Sequence, residues 1–486
     1  MNIRRWAVVG VLGLVAAACS DTTSDTTVAD TPDTTAADTP DTTPETTEDD
    51  QLPDLPTDVC HYLESYTVVE SVEDFGRAAT ALEEIGITVD QVPAANIVGE
   101  REEEFGIEPN EPTAPEIIDT QITIFTSSSA LNEEQDPLRI AMFLRGLDDQ
   151  VLAAPIHVIG MASHWAFAPG TTPTTVDQRV ITTDPGEGAY VAVVDSGIRA
   201  PILNDGAVEP AWLYGSLLFD DPADVETGDE ASHGTFIAGL IRQLAPSHKV
   251  SIVKAAEAQN IVSNDDASPS VPVSSEIDVA TAIARLVLRH STVTLNEEGI
   301  FSFSDVEVVT ALNLSLGTYT CFPEEDESLV TTVTKALAFW DQAFPSSVTF
   351  AAAGNEDHKI GAGFVPFWPA ALGGVRGIGA MDTVGHAIVW DGGSKKELTS
   401  QADDDDDPRT WSLKTPGCDI TSTSGNWSDD GGDVFSAEIV VWSGSSFASA
   451  VAAGTHAAGD SNLGTYQHLA VSGLHLDMGC QDPQPQ

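Results

Sequence analysis

Val440-Val441-Trp442-Ser443-Gly444-Ser445-Ser446-Phe447-Ala448-Ser449-Ala450-Val451-Ala452-Ala453-Gly454 passes from apolar residues through Ser-Gly-Ser-Ser into small, helix-compatible ones. The pattern predicts a strand or loop, a tight turn and a helix, with Ser446 at the helix N-terminus. A serine there has two readings. As an N-cap, its hydroxyl accepts from a backbone N–H two or three residues on. As a nucleophile, it would attack where backbone N–H groups of the same helix start stabilise the oxyanion that forms. The choice rests on whether a base, an orienting acid and an oxyanion donor exist elsewhere in the chain.

Three stretches supply them. Tyr190-Val191-Ala192-Val193-Val194-Asp195-Ser196-Gly197 is a buried-strand run ending in an acid and a turn. An aspartate at the C-terminal end of a parallel strand sits where open α/β sheets place ligands. Ser232-His233-Gly234-Thr235-Phe236-Ile237-Ala238-Gly239 puts a histidine at the entrance to a small-residue helix. Phe350-Ala351-Ala352-Ala353-Gly354-Asn355 ends an apolar strand in Gly-Asn. Taken singly, each has a structural reading: a turn aspartate, a core histidine, a turn.

Taken in order, the four stretches resemble the subtilisin-like serine proteases, the subtilases. Acid, then histidine, then serine is the subtilisin order; the chymotrypsin and α/β-hydrolase folds use others. The resemblance implies Asp195 as orienting acid, His233 as general base, Ser446 as nucleophile and Asn355 as oxyanion donor. It also makes Ser315, Leu316 and Gly317 the substrate-binding strand, with Ala353 and Gly354 on the far side of the primary specificity pocket. The small alanines there imply room for a sizeable apolar side chain. Phe447 stands where the family usually has methionine, Ala450 where it has proline and Ser445 where it has threonine. Polar stretches 260–275 and 292–305 are assigned to surface insertions.

Strand-like runs at 191–194, 250–253, 308–314, 348–352 and 375–380 alternate with helical stretches, clearest at 277–289 and 329–344. Alternation of this kind predicts an α/β fold, a mainly parallel sheet flanked by helices, over 185–480. Residues 57–170 form a separate small α+β unit. Ser71-Val72-Glu73-Asp74 caps a helix whose face carries Val72, Phe75, Ala79, Leu82 and Ile85, a second helix covers 136–147, and strands fall at 122–125 and 155–161. By position the unit resembles the family's propeptide, with a retained accessory domain as the alternative; segment 169–184 is the place for a processing cut.

The 486 residues carry 20 Lys+Arg against 76 Asp+Glu, a net charge of −56, with 42% hydrophobic residues. So acidic a surface repels phosphates and anionic lipid, which excludes a nucleic-acid-binding role. Residues 1–18 read as an export signal: Arg4 and Arg5, an apolar run, then Ala16-Ala17-Ala18 leading into Cys19. Small residues before a cysteine resemble a bacterial lipobox, which would lipidate Cys19 and anchor a monomeric protein at the cell-envelope surface; plain cleavage and secretion is the alternative. Residues 19–56, rich in Thr, Asp, Pro and Glu, predict an extended tether. Four cysteines remain, Cys60, Cys321, Cys418 and Cys480, an even number suited to disulfides outside the cell and open to three connectivities.

No Cys-x-x-Cys or His/Cys cluster suggests zinc. The chemistry expected needs no cofactor and no metal; calcium commonly stabilises the resembled family, but no loop identifies ligands and the acidic run 403–407 reads as solvated. Substrates would be proteins or peptides. A surface lipoprotein that binds a partner without cleaving it is the competing functional reading.

Overall fold

The computed structural model describes residues 3–4, 62–98, 112–129, 135–147, 151–161, 174–175, 189–197, 213–215, 233–255, 257–259, 271–296, 299–319, 331–355, 359–360, 363–364, 367–381, 388–391, 394–397, 413–418, 420–423, 426–428, 434–436 and 439–459. Cys19, the tether, run 403–407 and all but two residues each of the leader and of segment 169–184 lie outside these.

The N-terminal unit runs β1 (Tyr62–Val69), α1 (Val72–Glu84), β2 (Ile87–Val92), α2 (Ala114–Asp119), β3 (Thr123–Ser129), α3 (Pro137–Arg145) and β4 (Ala153–Met161). Its strands pair antiparallel in the order β2-β3-β1-β4. Local chemistry sets the helix starts. Ser71 Oγ accepts from the Asp74 N–H at α1, and Asp136 accepts from Leu138 and Arg139 at α3. On α1 the buried stripe is centred on Ala78 and Leu82, with Phe75 and Ile85 beside them. Val72 departs from expectation: as the first helical residue it is exposed. Of the leader, Ile3–Arg4 pairs antiparallel with Leu63 and Tyr62.

The second unit runs β5 (Tyr190–Asp195), β6 (Leu213–Gly215), α4 (His233–Leu244), β7 (Lys249–Lys254), β8 (Val271–Ser275), α5 (Glu276–His290), β9 (Val309–Leu314), β10 (Leu316–Tyr319), α6 (Thr331–Ala343), β11 (Val348–Ala352), β12 (Arg376–Met381), β13 (Leu413–Pro416), β14 (Ile439–Trp442) and α7 (Ser445–Ala457). Seven strands form a parallel sheet in the order β13-β12-β11-β9-β5-β7-β6. Period-two alternation along β5 assigns its faces. Val191 and Val193 join Phe236, Ile241, Phe447 and Val451 of α4 and α7, whereas Ala192 and Val194 join Ile283, Val287 and Trp340 of α5 and α6. Both faces are therefore covered, which is why these strands read as unbroken apolar runs.

β5 is the topological switch: β7 lies on one side of it and β9 on the other. In open α/β sheets ligands bind at the carboxyl end of such a strand. Asp195 is its last residue.

The two units share a core and a sheet. Leu63, Ile117, Ile124, Ile156 and Ile159 of the first pack in one cluster with Ile277, Ile283 and Trp340 of the second. β4 pairs antiparallel with β8, Val158 to Ser275 through Gly160 to Val273. It also pairs with β10, Gly160 opposite Gly317 and Met161 opposite Leu316. β4 thus fills the space between β8 and β10. The last five residues of the polar stretch assigned to an insertion, 271–275, are this β8, ordered by pairing on both sides. The other insertion, at 292–305, is a hairpin that lays Phe301 and Phe303 against Phe339 of α6. At the seam, buried Glu276 accepts from the His157 N–H at 3.2 Å and its carboxylate also pairs with the His157 ring.

Candidate active site

Four elements, β5, α4, α7 and β11, position the sequence-derived residues at the carboxyl end of the sheet. Asp195 Oδ1 accepts from the Ser196 N–H at 2.7 Å and lies 2.8 Å from His233 Nδ1. His233 opens α4, and the Gly234 N–H at that helix start donates to Ser196 Oγ at 3.0 Å. A Cβ on Gly234 would come within 2.2 Å of the Gly197 carbonyl oxygen. Only glycine lets α4 approach the β5 turn closely enough for the acid to meet the imidazole. Both side chains are fully buried, so their bond acts in a low dielectric.

Ser446 is the second residue of α7, with Gly444 as the N-cap and no side chain capping it. The capping reading of Ser446 is thereby excluded by geometry: its Oγ donates to the Ser315 carbonyl oxygen at 3.2 Å. Phe447 fills the gap between the two helices, its ring 5.3 Å from that of His233 and 4.6 Å from that of Phe236. The exchange of methionine for phenylalanine therefore builds a wall against one side of the histidine. Ala450 lies inside a continuous helix.

Asn355 follows β11 by three residues and is buried. Its Oδ1 accepts from the Ser445 N–H at 2.7 Å. A backbone N–H can bond only the oxygen end of the amide, so Nδ2 is the end left to face Gly444, where a Cβ would sit 3.5 Å away. The amide is thus held one residue from Ser446.

The other sequence-derived positions, Cys19 apart, lie in or just before β10 and just after β11. Ser315 joins β9 to β10; Leu316 and Gly317 face Met161 and Gly160 of β4. A Cβ on Gly317 would lie 2.2 Å from the Phe367 ring, so glycine is needed where the strand passes Phe367 and Trp368. Ala353 donates to the Ile378 carbonyl at 3.0 Å, and Gly354 turns with φ +91. Cys19 lies outside the described residues. Cys418 is disulfide-bonded, and every other cysteine lies outside the described residues.

Sequence reasoning passed over Asn313 and Ser449. Both signals were present: an asparagine in the apolar run Leu312-Asn313-Leu314, and a serine three residues after Ser446, hence on the same helix face. Among the described residues no group of three or more His, Cys, Asp or Glu could hold a metal, and no helix is long and apolar enough to cross a membrane.

The sequence profile of the subtilase family matches residues 186–472. Solved structures include three likenesses at low identity and low TM-score. The prenylagaramide maturation protease PagA is 20% identical, covering 60% of this chain and 80% of its own at a TM-score of 0.34. For a cold adapted subtilisin-like serine proteinase the values are 17%, 59%, 81% and 0.32. For the epidermin leader peptide processing serine protease of Staphylococcus aureus they are 13%, 81%, 87% and 0.37. No curated protein matches.

Proposed function

The chain belongs to the subtilase family and is a serine protease acting on proteins or peptides; on that premise we propose that Asp195, His233 and Ser446 are its triad and Asn355 its oxyanion donor. The observation that carries the assignment is the Asp195–His233 pair, buried at a helix start beside the helix whose first turn bears Ser446. In the proposed cycle His233 Nε2 takes the Ser446 proton as Oγ attacks the carbonyl carbon. Asp195 keeps Nδ1 protonated and steadies the imidazolium, and Asn355 Nδ2 donates to the oxyanion. His233 then returns the proton to the leaving amine, and water hydrolyses the acyl-enzyme by the same path. No cofactor enters these steps.

β4 supports reading the N-terminal unit as a propeptide. It occupies the edge of β10 that a substrate strand would use, by the same main-chain pairing. Met161 faces Leu316, whose neighbour Ser315 carries the carbonyl oxygen 3.2 Å from Ser446 Oγ. The self-cleavage cut is therefore expected just after Met161, upstream of segment 169–184. The disulfide at Cys418 supports export to an oxidising compartment. Lipidation at Cys19, a monomeric state and an envelope location complete the proposal.

Intact mass and N-terminal sequencing of the exported protein, wild type beside Ser446→Ala, test it. The wild type should lose the unit ending near Met161 and Ser446→Ala should retain it. Retention in both, with no cleavage of added peptides, would return the balance to a non-cleaving binding protein.

A further inference from the structure

We propose, on the reading that Ser446 is the nucleophile, that Asn313 and Ser449 are positioning residues that hold the first turn of α7 in register with Ser315. Donor counting fixes the direction of every bond. Ser449 Oγ has one proton, and the 2.6 Å bond to Asn313 Oδ1 uses it. Asn313 Nδ2 donates to Ser315 Oγ at 2.8 Å. Ser315 Oγ gives its own proton to the Ser446 carbonyl oxygen at 2.8 Å. The 3.2 Å approach of the Ser315 and Ser449 hydroxyls is left without a proton of its own.

The Asn313 amide is therefore engaged at both ends, which sets its orientation and makes it the centre of the chain. Asn313, Ser315, Ser446 and Ser449 are all fully buried, so deleting any one partner strands a polar atom away from water. The chain terminates on the peptide group of Ser446, while Ser446 Oγ returns to the carbonyl of the same Ser315. One residue at the β9–β10 junction thus meets both the backbone and the hydroxyl of the nucleophile. Since β10 is also the strand expected to receive substrate, the network ties attacking oxygen and substrate edge to one frame. Misplacement on the order of 1 Å can cost about 10²-fold in rate. Neither Asn313 nor Ser449 touches the reacting atoms, so the effect runs through the placement of Ser446.

Ser449→Ala removes one oxygen from a helix that favours alanine, so the fold is expected to persist. Processed enzyme carrying it should show kcat reduced about 10- to 100-fold. KM should stay within about twofold, and phosphonylation of Ser446 by a fluorophosphonate, with loss of fluoride, should slow by the same factor as kcat. Asn313→Ala should behave alike, and the double variant should be no slower than Asn313→Ala alone, as for residues acting as one unit. If Asn313→Ala does not yield folded protein, Ser449→Ala decides by itself. A Ser449→Ala enzyme with wild-type kcat, or with a raised KM at unchanged kcat, would overturn the positioning role while leaving the triad intact. A wild type that neither reacts with fluorophosphonate nor cleaves peptides would overturn the nucleophile assignment and this inference with it.

Discussion

Two serine–histidine–carboxylate sets lie in the same α/β unit, and the one with more of its bonds closed is not the proposed site. Glu307 Oε2 is 2.7 Å from His290 Nδ1, and Ser251 Oγ is 2.8 Å from His290 Nε2. In the other set the acid and imidazole are joined, but Ser446 Oγ is turned to Ser315. The surroundings reverse the ranking. Ser251 lies within β7, fully buried, and also accepts from Arg289 at 3.3 Å. Glu307 is 46% exposed, so water weakens its field. Ser446 has a helix start, an oriented amide one residue away and a strand edge beside it. Aligned hydrogen bonds are thus compatible with either a structural brace or a reactive group. A helix N-terminus, an oriented amide and a strand edge that takes an antiparallel partner make the difference.

The comparison breaks most visibly through the serines. Ser446→Ala or His233→Ala should lower kcat on a peptide substrate by roughly 10⁶, as in measured subtilisin variants. Ser251→Ala should leave kcat per folded molecule within about twofold, because its set serves no reaction. Equal losses from Ser446→Ala and Ser251→Ala would erase the distinction. Next in size, Asn355→Leu should cost roughly 10² to 10³ in kcat with little change in KM, the signature of a donor used in the transition state. Denaturant midpoints then read the structural set: Ser251→Ala should lose about 1–3 kcal/mol by removing the partner of the buried His290 Nε2, while Arg289 keeps its bond to the Ile252 carbonyl.

The smallest effect expected is in pH dependence. Burial lowers the His290 pKa, against the opposing bond and charge of Glu307, and Arg289 adds to the lowering. Ser251 and the Tyr190 ring are its other neighbours. With the folded value below the ordinary 6.5, the unfolded chain binds more protons in that window, so stability is full above it and declines as pH falls through it. Burial lowers His248 and His456 as well, with the same sign. Stability measured by denaturant at a series of pH values should therefore fall less steeply for His290→Gln than for wild type as pH drops below the ordinary 6.5. Identical slopes would remove His290 from the account.

Legibility followed burial. The strands of the parallel sheet are covered on both faces, so they appear as apolar runs, and β5, β7, β9, β11 and β12 all fall within about one residue of their expected bounds. β1 and β2 were not legible. Their sequences, Tyr-Leu-Glu-Ser-Tyr-Thr-Val-Val and Ile-Thr-Val-Asp-Gln-Val, mix polar and apolar residues and take their strand character from antiparallel partners. β8 had no signal of its own because β4, more than a hundred positions away, orders it. The proposed triad positions stood out because each sits in a short motif that shapes its own turn. The Asn313–Ser315–Ser449 network was not, because it exists only where a strand end meets a helix turn.

Mass spectrometric mapping of the adduct formed when processed enzyme reacts with a fluorophosphonate tests the central claim most directly. A single modified residue, Ser446, is expected, with no adduct in Ser446→Ala or His233→Ala. An adduct on Ser251, or on another serine of an enzyme that still cleaves peptides, would contradict it.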